Sequence, residues 1–152
     1  MLNIDDWINE FVKILRRDFG DRIWFIGLQG SYARGEATAN SDIDVVVILD
    51  EFTISDIQKY DALLNELPHR NLICGFISGK SELLNWDKAE LFQFYHDTKP
   101  IFGSLEILQP YFDDSVIDRA IKANGDKINF QKMSETIFLW SKNLIKRRAA
   151  HS

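Results

Sequence analysis

The sequence predicts a mixed α/β domain, a small sheet flanked by helices, and three observations point to it. A helical stripe opens the chain, two short apolar runs follow with fourteen residues between them, and helical patterns then alternate with one more apolar run. The segment between the first two runs carries no apolar stripe of helix length. A parallel crossover is usually helical, so this spacing favours an antiparallel or mixed sheet over a doubly wound parallel one.

Each element has its own warrant. Ile4, Trp7, Ile8, Phe11, Val12 and Leu15 recur at i, i+3, i+4, i+7, i+8 and i+11, which predicts an amphipathic helix over residues 4–19 ending near Gly20. Ile23 to Leu28 and the β-branched run Ile43 to Leu49 read as strands, with a polar, glycine-containing loop from Gln29 to Ser41 between them. Ser55-x-x-Gln58 has capping-box spacing, and Ile57, Tyr60, Leu63, Leu64 and Leu67 continue as one helical face until Pro68. Leu72 to Ile77 reads as a third strand, Ser81 to Trp86 as a short helix, and Asp87-x-x-Glu90 as the opening of another that carries Leu91, Phe94 and Tyr95. Lys99 to Phe102 suits an edge strand, because Pro100 removes a ladder donor. Residues 115–148 are helical in pattern, with a break near Asn124-Gly125. The expected organisation is a core over residues 1–112 and a C-terminal helical segment, 113–152, packed on the core or on a partner.

Composition narrows the function classes. The chain is 45% hydrophobic with 11 Phe, 4 Trp and 4 Tyr, enough apolar volume for a continuous core and contrary to disorder. The single cysteine, Cys74, and 3 His leave no zinc-site cluster and no internal disulfide, which suits a reducing cytoplasm. No apolar run approaches the roughly 20 residues of a membrane-spanning helix, and Met1 to Asp6 lacks a secretory pattern. With 18 basic against 23 acidic residues and a formal net charge of -5, a general nucleic-acid coat protein is disfavoured, although a local basic groove is compatible with that total. Lys142, Lys146, Arg147 and Arg148 read first as a solvated helix end. Trp86, Phe92, Phe94, Tyr95, Phe102 and Phe112 read as core or an oligomer contact, with one ring able to stack on a nucleobase.

The chemistry is concentrated between Gly30 and Val45. Gly30-Ser31 is followed, ten residues on, by Asp42-Ile43-Asp44 entering a strand. Residues i and i+2 of a strand share a face, so Asp42 and Asp44 project together while Ile43 turns to the core. Paired carboxylates repel unless a cation lies between them, and Mg²⁺ or Mn²⁺ is commonly held by one or two carboxylates plus substrate phosphates. Gly30 permits close backbone approach to a phosphate, and Ser31 adds an N–H and a hydroxyl.

The frame Gly30-Ser31-x-Ala33-Arg34-Gly35, then Ser41-Asp42-x-Asp44, resembles the signature of the DNA polymerase beta superfamily of nucleotidyltransferases. The likeness is to the small branch that includes the minimal and kanamycin nucleotidyltransferase types. It is close from Ile23 to Leu49 and looser up to Phe102. It implies a nucleotidyltransferase fold and Mg²⁺-dependent transfer of a nucleoside monophosphate, from ATP in the first instance, to a hydroxyl acceptor. Carried over by position, Gly30 and Ser31 would hold the triphosphate, Asp42 and Asp44 would ligate metal, and Gly35 and Ser41 would shape the loop. Arg34 matches a position common in this branch, either solvated or on phosphate.

Two departures are legible. The family's third carboxylate belongs on the strand reading Leu72 to Ile77, which is free of acid, and Cys74 or Gly75 stands in its place. Asp50, Asp97 and His96 are the substitutes the sequence offers. Little chain follows the core, so the acceptor site is expected to draw on a second subunit or a small helical partner protein. Two readings result: an enzyme acting on a small molecule or a protein side chain, and a catalytically weakened, nucleotide-binding or antitoxin-like module acting through its partner.

Overall fold

The structure, a computed structural model, describes residues 2–124. The elements run α1 (Ile4–Phe19), β1 (Ile23–Gln29), α2 (Gly30–Arg34), β2 (Ile43–Leu49), α3 (Ile54–Leu64), β3 (Ile73–Gly79), α4 (Lys80–Leu84), α5 (Lys88–Asp97), β4 (Lys99–Phe102) and α6 (Asp114–Asn124). Short 3-10 turns lie at Gly20–Arg22, Arg70–Leu72 and Glu106–Tyr111. The strands form one sheet in the order β3-β2-β1-β4, with β1 antiparallel to β2 and β4, and β2 parallel to β3. The sheet is therefore mixed, as the short connection between the first two strands predicts.

The described chain divides into two compact units, one of Met1–Trp86 with Asp97–Leu105 and one of Asp87–His96 with the chain from Glu106. In the first, α1 is fixed at both ends. The Asp6 N–H donates to the Asn3 side chain at 3.1 Å, Asp5 and Asp6 suit the positive end of the dipole, and Arg16 and Arg17 suit the other. Its buried face, Trp7, Ile8, Phe11, Ile14, Leu15 and Phe19, packs with Ile26, Leu28, Ile43, Val45, Val47 and Leu49 of the sheet. Trp7 stacks on Phe11 at 5.1 Å, and its indole N–H donates to the Pro68 carbonyl at 3.0 Å, tying α1 to the chain beyond α3. With the odd-numbered residues of β2 committed to this core, Asp44, Val46 and Ile48 take the other face.

Several expectations are corrected. The segment from Gln29 to Ser41 is not loop throughout, because its first residues form α2. The capping box of α3 is Thr53 with Asp56, not Ser55 with Gln58. Asp56 is buried and paired with Arg22 at 3.0 Å, so it occupies the inward face together with Tyr60, Leu63 and Leu64. Ile57, expected inside, is turned out and 49% exposed. The third strand starts one residue later than expected, because Leu72 belongs to the preceding 3-10 turn.

In the second unit Asp87 caps α5, accepting from the N–H groups of Ala89 at 3.0 Å and Glu90 at 3.3 Å, and its other oxygen takes Arg119 at 3.1 Å. Phe92 meets Phe112 edge-on at 5.2 Å, Tyr95 lies 5.4 Å from Phe112, and Gln109 donates to the Tyr95 hydroxyl. Phe92 and Phe112 are core, and Tyr95 is half-buried beside them. The helix α6 is described as far as Asn124; the expected break at Asn124-Gly125 and the rest of the helical segment, with its basic cluster, lie outside the described residues. No described helix is long and apolar enough to cross a membrane.

Candidate active site

The sheet register assembles the site. Gln29 pairs with Asp44, and Asp44 pairs with Cys74, so these three residues form one row across β1, β2 and β3. Asp42, exposed, immediately precedes β2, and Ile43, fully buried between the two acids, holds their spacing. The chain leaves β1 directly into α2 through Gly30, at φ +72°. A Cβ at Gly30 would also run into the Asp44 carboxylate, so both the backbone conformation and the space before Asp44 require glycine here. Gly30 and Asp44, fourteen positions apart, are thus brought into contact.

The turn and loop between them are closed by short-range bonds. Gly35, in the left-handed conformation, ends α2, and its N–H donates to the Ser31 carbonyl, which also accepts from Glu36 at 2.9 Å. Ser41 closes the last turn before Asp42: its N–H donates to the Thr38 carbonyl at 3.1 Å, and its hydroxyl accepts from the Thr38 N–H at 2.8 Å. Arg34 is exposed and donates to Glu36 at 3.1 Å, yet its charge reaches Asp44. On the other side of the row, Gln29 donates through its amide to the Thr98 hydroxyl at 2.8 Å.

The electrostatics are those of a crowded acid pair. Burial pushes the Asp44 carboxyl above its ordinary range, the Asp42 charge adds to this, and Arg34 partly offsets it. The Cys74 thiol, though exposed, has its pKa pushed up by desolvation and then by the charges of Asp42 and Asp44. Arg70, fixed by Asn65 at 3.0 Å and Asp61 at 3.1 Å on the α3 side, acts on Cys74 in the opposite sense.

The alternative left open on β3 is settled by this register: Cys74 shares the Asp44 row and Gly75 pairs with Val45. Among the described residues no group of three or more His, Cys, Asp or Glu side chains is placed to hold a metal ion. Asp50 lies past the opposite end of β2 from Asp44, its N–H donating to the Arg22 carbonyl. His96 is buried and Asp97 ends α5. Gln29 and Arg70 were not singled out from the sequence. Counting back by pairs from the Gly-Ser turn would have found Gln29, whereas Arg70 depends on the parallel pairing that brings the start of β3 beside Asp42.

A mixed sheet that sets a Gly-Ser turn against an acid pair at one strand's start defines the nucleotidyltransferase class. The family model described as a nucleotidyltransferase domain matches residues 8–122, and the chain belongs to that family. Three Methanocaldococcus jannaschii proteins, each provisionally named a protein adenylyltransferase, align with parts of it. One is 45% identical over 49 residues, covering 32% of this chain and 49% of the relative. Another is 38% identical over 64 residues, covering 42% and 62%. The chain thus spans about half the length of the curated relatives it matches. A spectinomycin adenyltransferase from Enterococcus faecialis, solved with ATP and spectinomycin, shares the fold at a TM-score of 0.55 and 20% identity, covering 82% of this chain and 67% of that one. A chain from a toxin–antitoxin structure with AMP-PNP superposes at a TM-score of 0.47 with 18% identity, covering 95% and 98%.

Proposed function

We propose that the chain transfers a nucleoside monophosphate, AMP in the first instance, from a nucleoside triphosphate to a hydroxyl group. The observation that carries this reading is the contact between Gly30 and Asp44, which sets the Gly-Ser turn at the head of α2 directly against the acid pair. Gly30 and Ser31 would hold the triphosphate, Gly35 and Ser41 keep the turn and loop in shape, and Arg34 is within electrostatic reach of added negative charge.

The donor set fits a hard divalent cation, Mg²⁺ or Mn²⁺. Two carboxylates share one side of the strand, and the Asp42 charge raises the proton affinity of Asp44, a repulsion that a cation relieves. Asp42 and Asp44 would be its protein ligands, with phosphate oxygens and water completing the shell. Such an ion neutralises developing charge at the transferring phosphoryl group. In the transfer the acceptor oxygen forms a bond to the α-phosphorus, the bond to the pyrophosphate oxygen breaks, pyrophosphate leaves with that electron pair, and the hydroxyl proton passes to water.

The provisional names of the Methanocaldococcus jannaschii relatives favour AMP and a protein side chain as acceptor over a small molecule. A second reading, nucleotide binding with little transfer and action through a protein partner, is favoured by the acid-free β3, where Cys74 occupies the Asp44 row. The two separate on one variant. Under the first, Asp42→Asn lowers AMP incorporation from α-labelled ATP by roughly three orders of magnitude, as loss of a metal ligand worth several kcal/mol implies. Under the second, incorporation is near background in both proteins and the variant keeps its partner.

A further inference from the structure

Two guanidinium groups flank the acid pair, one on each side. Arg34 follows the Gly30-Ser31 turn in α2, and Arg70 lies on the β3 side, in the 3-10 turn Arg70–Leu72 that leads into the strand. Parallel pairing of Ile43 with Ile73 sets that turn beside Asp42. The turn is anchored: the Trp7 indole N–H donates to the Pro68 carbonyl at 3.0 Å, and the Leu72 N–H donates to the His69 carbonyl at 2.9 Å. Arg70 itself is oriented from α3, its Nε donating to Asn65 at 3.0 Å and its Nη2 to Asp61 at 3.1 Å, while its Nη1 makes no hydrogen bond among the described residues. Asp61 is 66% exposed, so this ion pair is screened by water and fixes the guanidinium without cancelling it. The positive charge is felt at Cys74, and Cys74 and Gly75, at this end of β3, are both exposed.

We propose that Arg70 selects the acceptor by charge: the acceptor is a polypeptide segment whose Ser, Thr or Tyr hydroxyl is flanked by carboxylate side chains, which meet the Arg70 guanidinium as the hydroxyl reaches the acid pair. This rests on the transfer reading above and specifies its substrate class. In displacement at phosphorus the attacking and leaving oxygens lie roughly in line. With the triphosphate at Gly30-Ser31, pyrophosphate departs on the α2 side as its bond to the α-phosphorus breaks. The acceptor oxygen then forms its bond to that phosphorus from the β3 side, and the hydroxyl proton passes to water. The acceptor therefore arrives past Cys74, where Arg70 supplies the positive charge. An acid pair alone draws cationic acceptors, and a fixed guanidinium on the approach reverses the preference, because opposite charges steer encounter and like charges brought together reject the wrong partner. The same charge discriminates against a polycationic small molecule.

The test uses the full chain, its Arg70→Gln and Arg70→Glu variants, Mg²⁺ and α-labelled ATP. The acceptors are two mixtures of short randomised peptides with a central Ser, Thr or Tyr, flanked on both sides by Glu in one mixture and by Lys in the other. Wild type should label the Glu-flanked mixture roughly tenfold faster than the Lys-flanked one at low salt, with the ratio narrowing as salt is raised. Arg70→Gln should abolish that preference and Arg70→Glu should invert it, while calorimetry finds ATP with Mg²⁺ bound equally by all three proteins. A purely structural Arg70 slows both mixtures alike, so an unchanged ratio in the variants overturns the proposal, as does a wild-type preference for Lys flanks. Loss of nucleotide binding in folded Arg70→Gln also overturns it, by placing Arg70 on the triphosphate. Peptide binding to protein loaded with Mg²⁺ and the non-transferable α,β-methylene analogue of ATP separates the failures. Selective binding of Glu-flanked peptides without label sinks the transfer reading alone, and label without charge preference sinks the Arg70 assignment alone. Failure of the wild type to bind the nucleotide, or of the loaded protein to take either mixture, overturns both.

Discussion

Asp44 is the residue at which fold and function pull in opposite directions. It is half-buried, faces the Asp42 charge, and has Gly30 pressed against its carboxylate. A carboxyl whose folded pKa lies above its unfolded one binds more protons folded than unfolded between those two values, so stability falls as pH rises through that window. The destabilisation is absent below the ordinary carboxylate range and complete above the raised value. In metal-free protein, Asp44→Asn should therefore melt higher than wild type at neutral pH, with the two melting temperatures converging as the pH is lowered through the carboxylate range. A lower melting temperature for the variant at neutral pH would count against the assigned burial and repulsion. The acid pair and the Gly-Ser turn were legible in the sequence because strand alternation and glycine's freedom are local rules. The choice between Cys74 and Gly75 was not, because it depends on the register of a parallel pair whose strands are joined through a helix.

Among the elements, α3 shows how one buried charge sets a helix in place. Asp56 accepts from the Thr53 N–H at 2.9 Å and from Arg22 at 3.0 Å, so the cap of α3 and the entry to β1 share one carboxylate. Arg22 beside it lowers the Asp56 pKa from 3.8 to about 2. The stabilisation is present above the unfolded value and is lost as the pH falls through the folded one. Because Arg22 is partly exposed, the pair is worth on the order of 1–2 kcal/mol after screening. Asp56→Asn should lower the unfolding free energy by that amount at pH 7 in chemical denaturation. The deficit should shrink as the pH falls through about 2, where wild-type Asp56 itself becomes protonated. The sequence analysis picked Ser55 with Gln58 as the capping box, whereas the structure uses Thr53 with Asp56, whose carboxylate is held by the tertiary contact to Arg22. Likewise α2 escaped detection because its five residues are too few for an apolar stripe to repeat.

For the molecule as a whole, the likeness read from Gly30 to Val45 extends to a family match over residues 8–122, and the strand order follows the mixed pattern expected. Organisation into units was harder to see. The chain threads residues 87–96 and the chain from Glu106 into a second unit around an intervening strand, and no composition shift marks such interleaving. At one edge of the sheet, exposed Lys99 and Pro100 discourage another chain from pairing. The central claim, that Gly30, Ser31, Asp42 and Asp44 form a metal-dependent triphosphate site, is tested most directly by calorimetry. Titration of ATP with Mg²⁺ into the wild type should show binding that depends on the metal, and the folded double variant Asp42→Asn/Asp44→Asn should show none. Metal-dependent binding of equal affinity in the two proteins, or no binding in either, would contradict it.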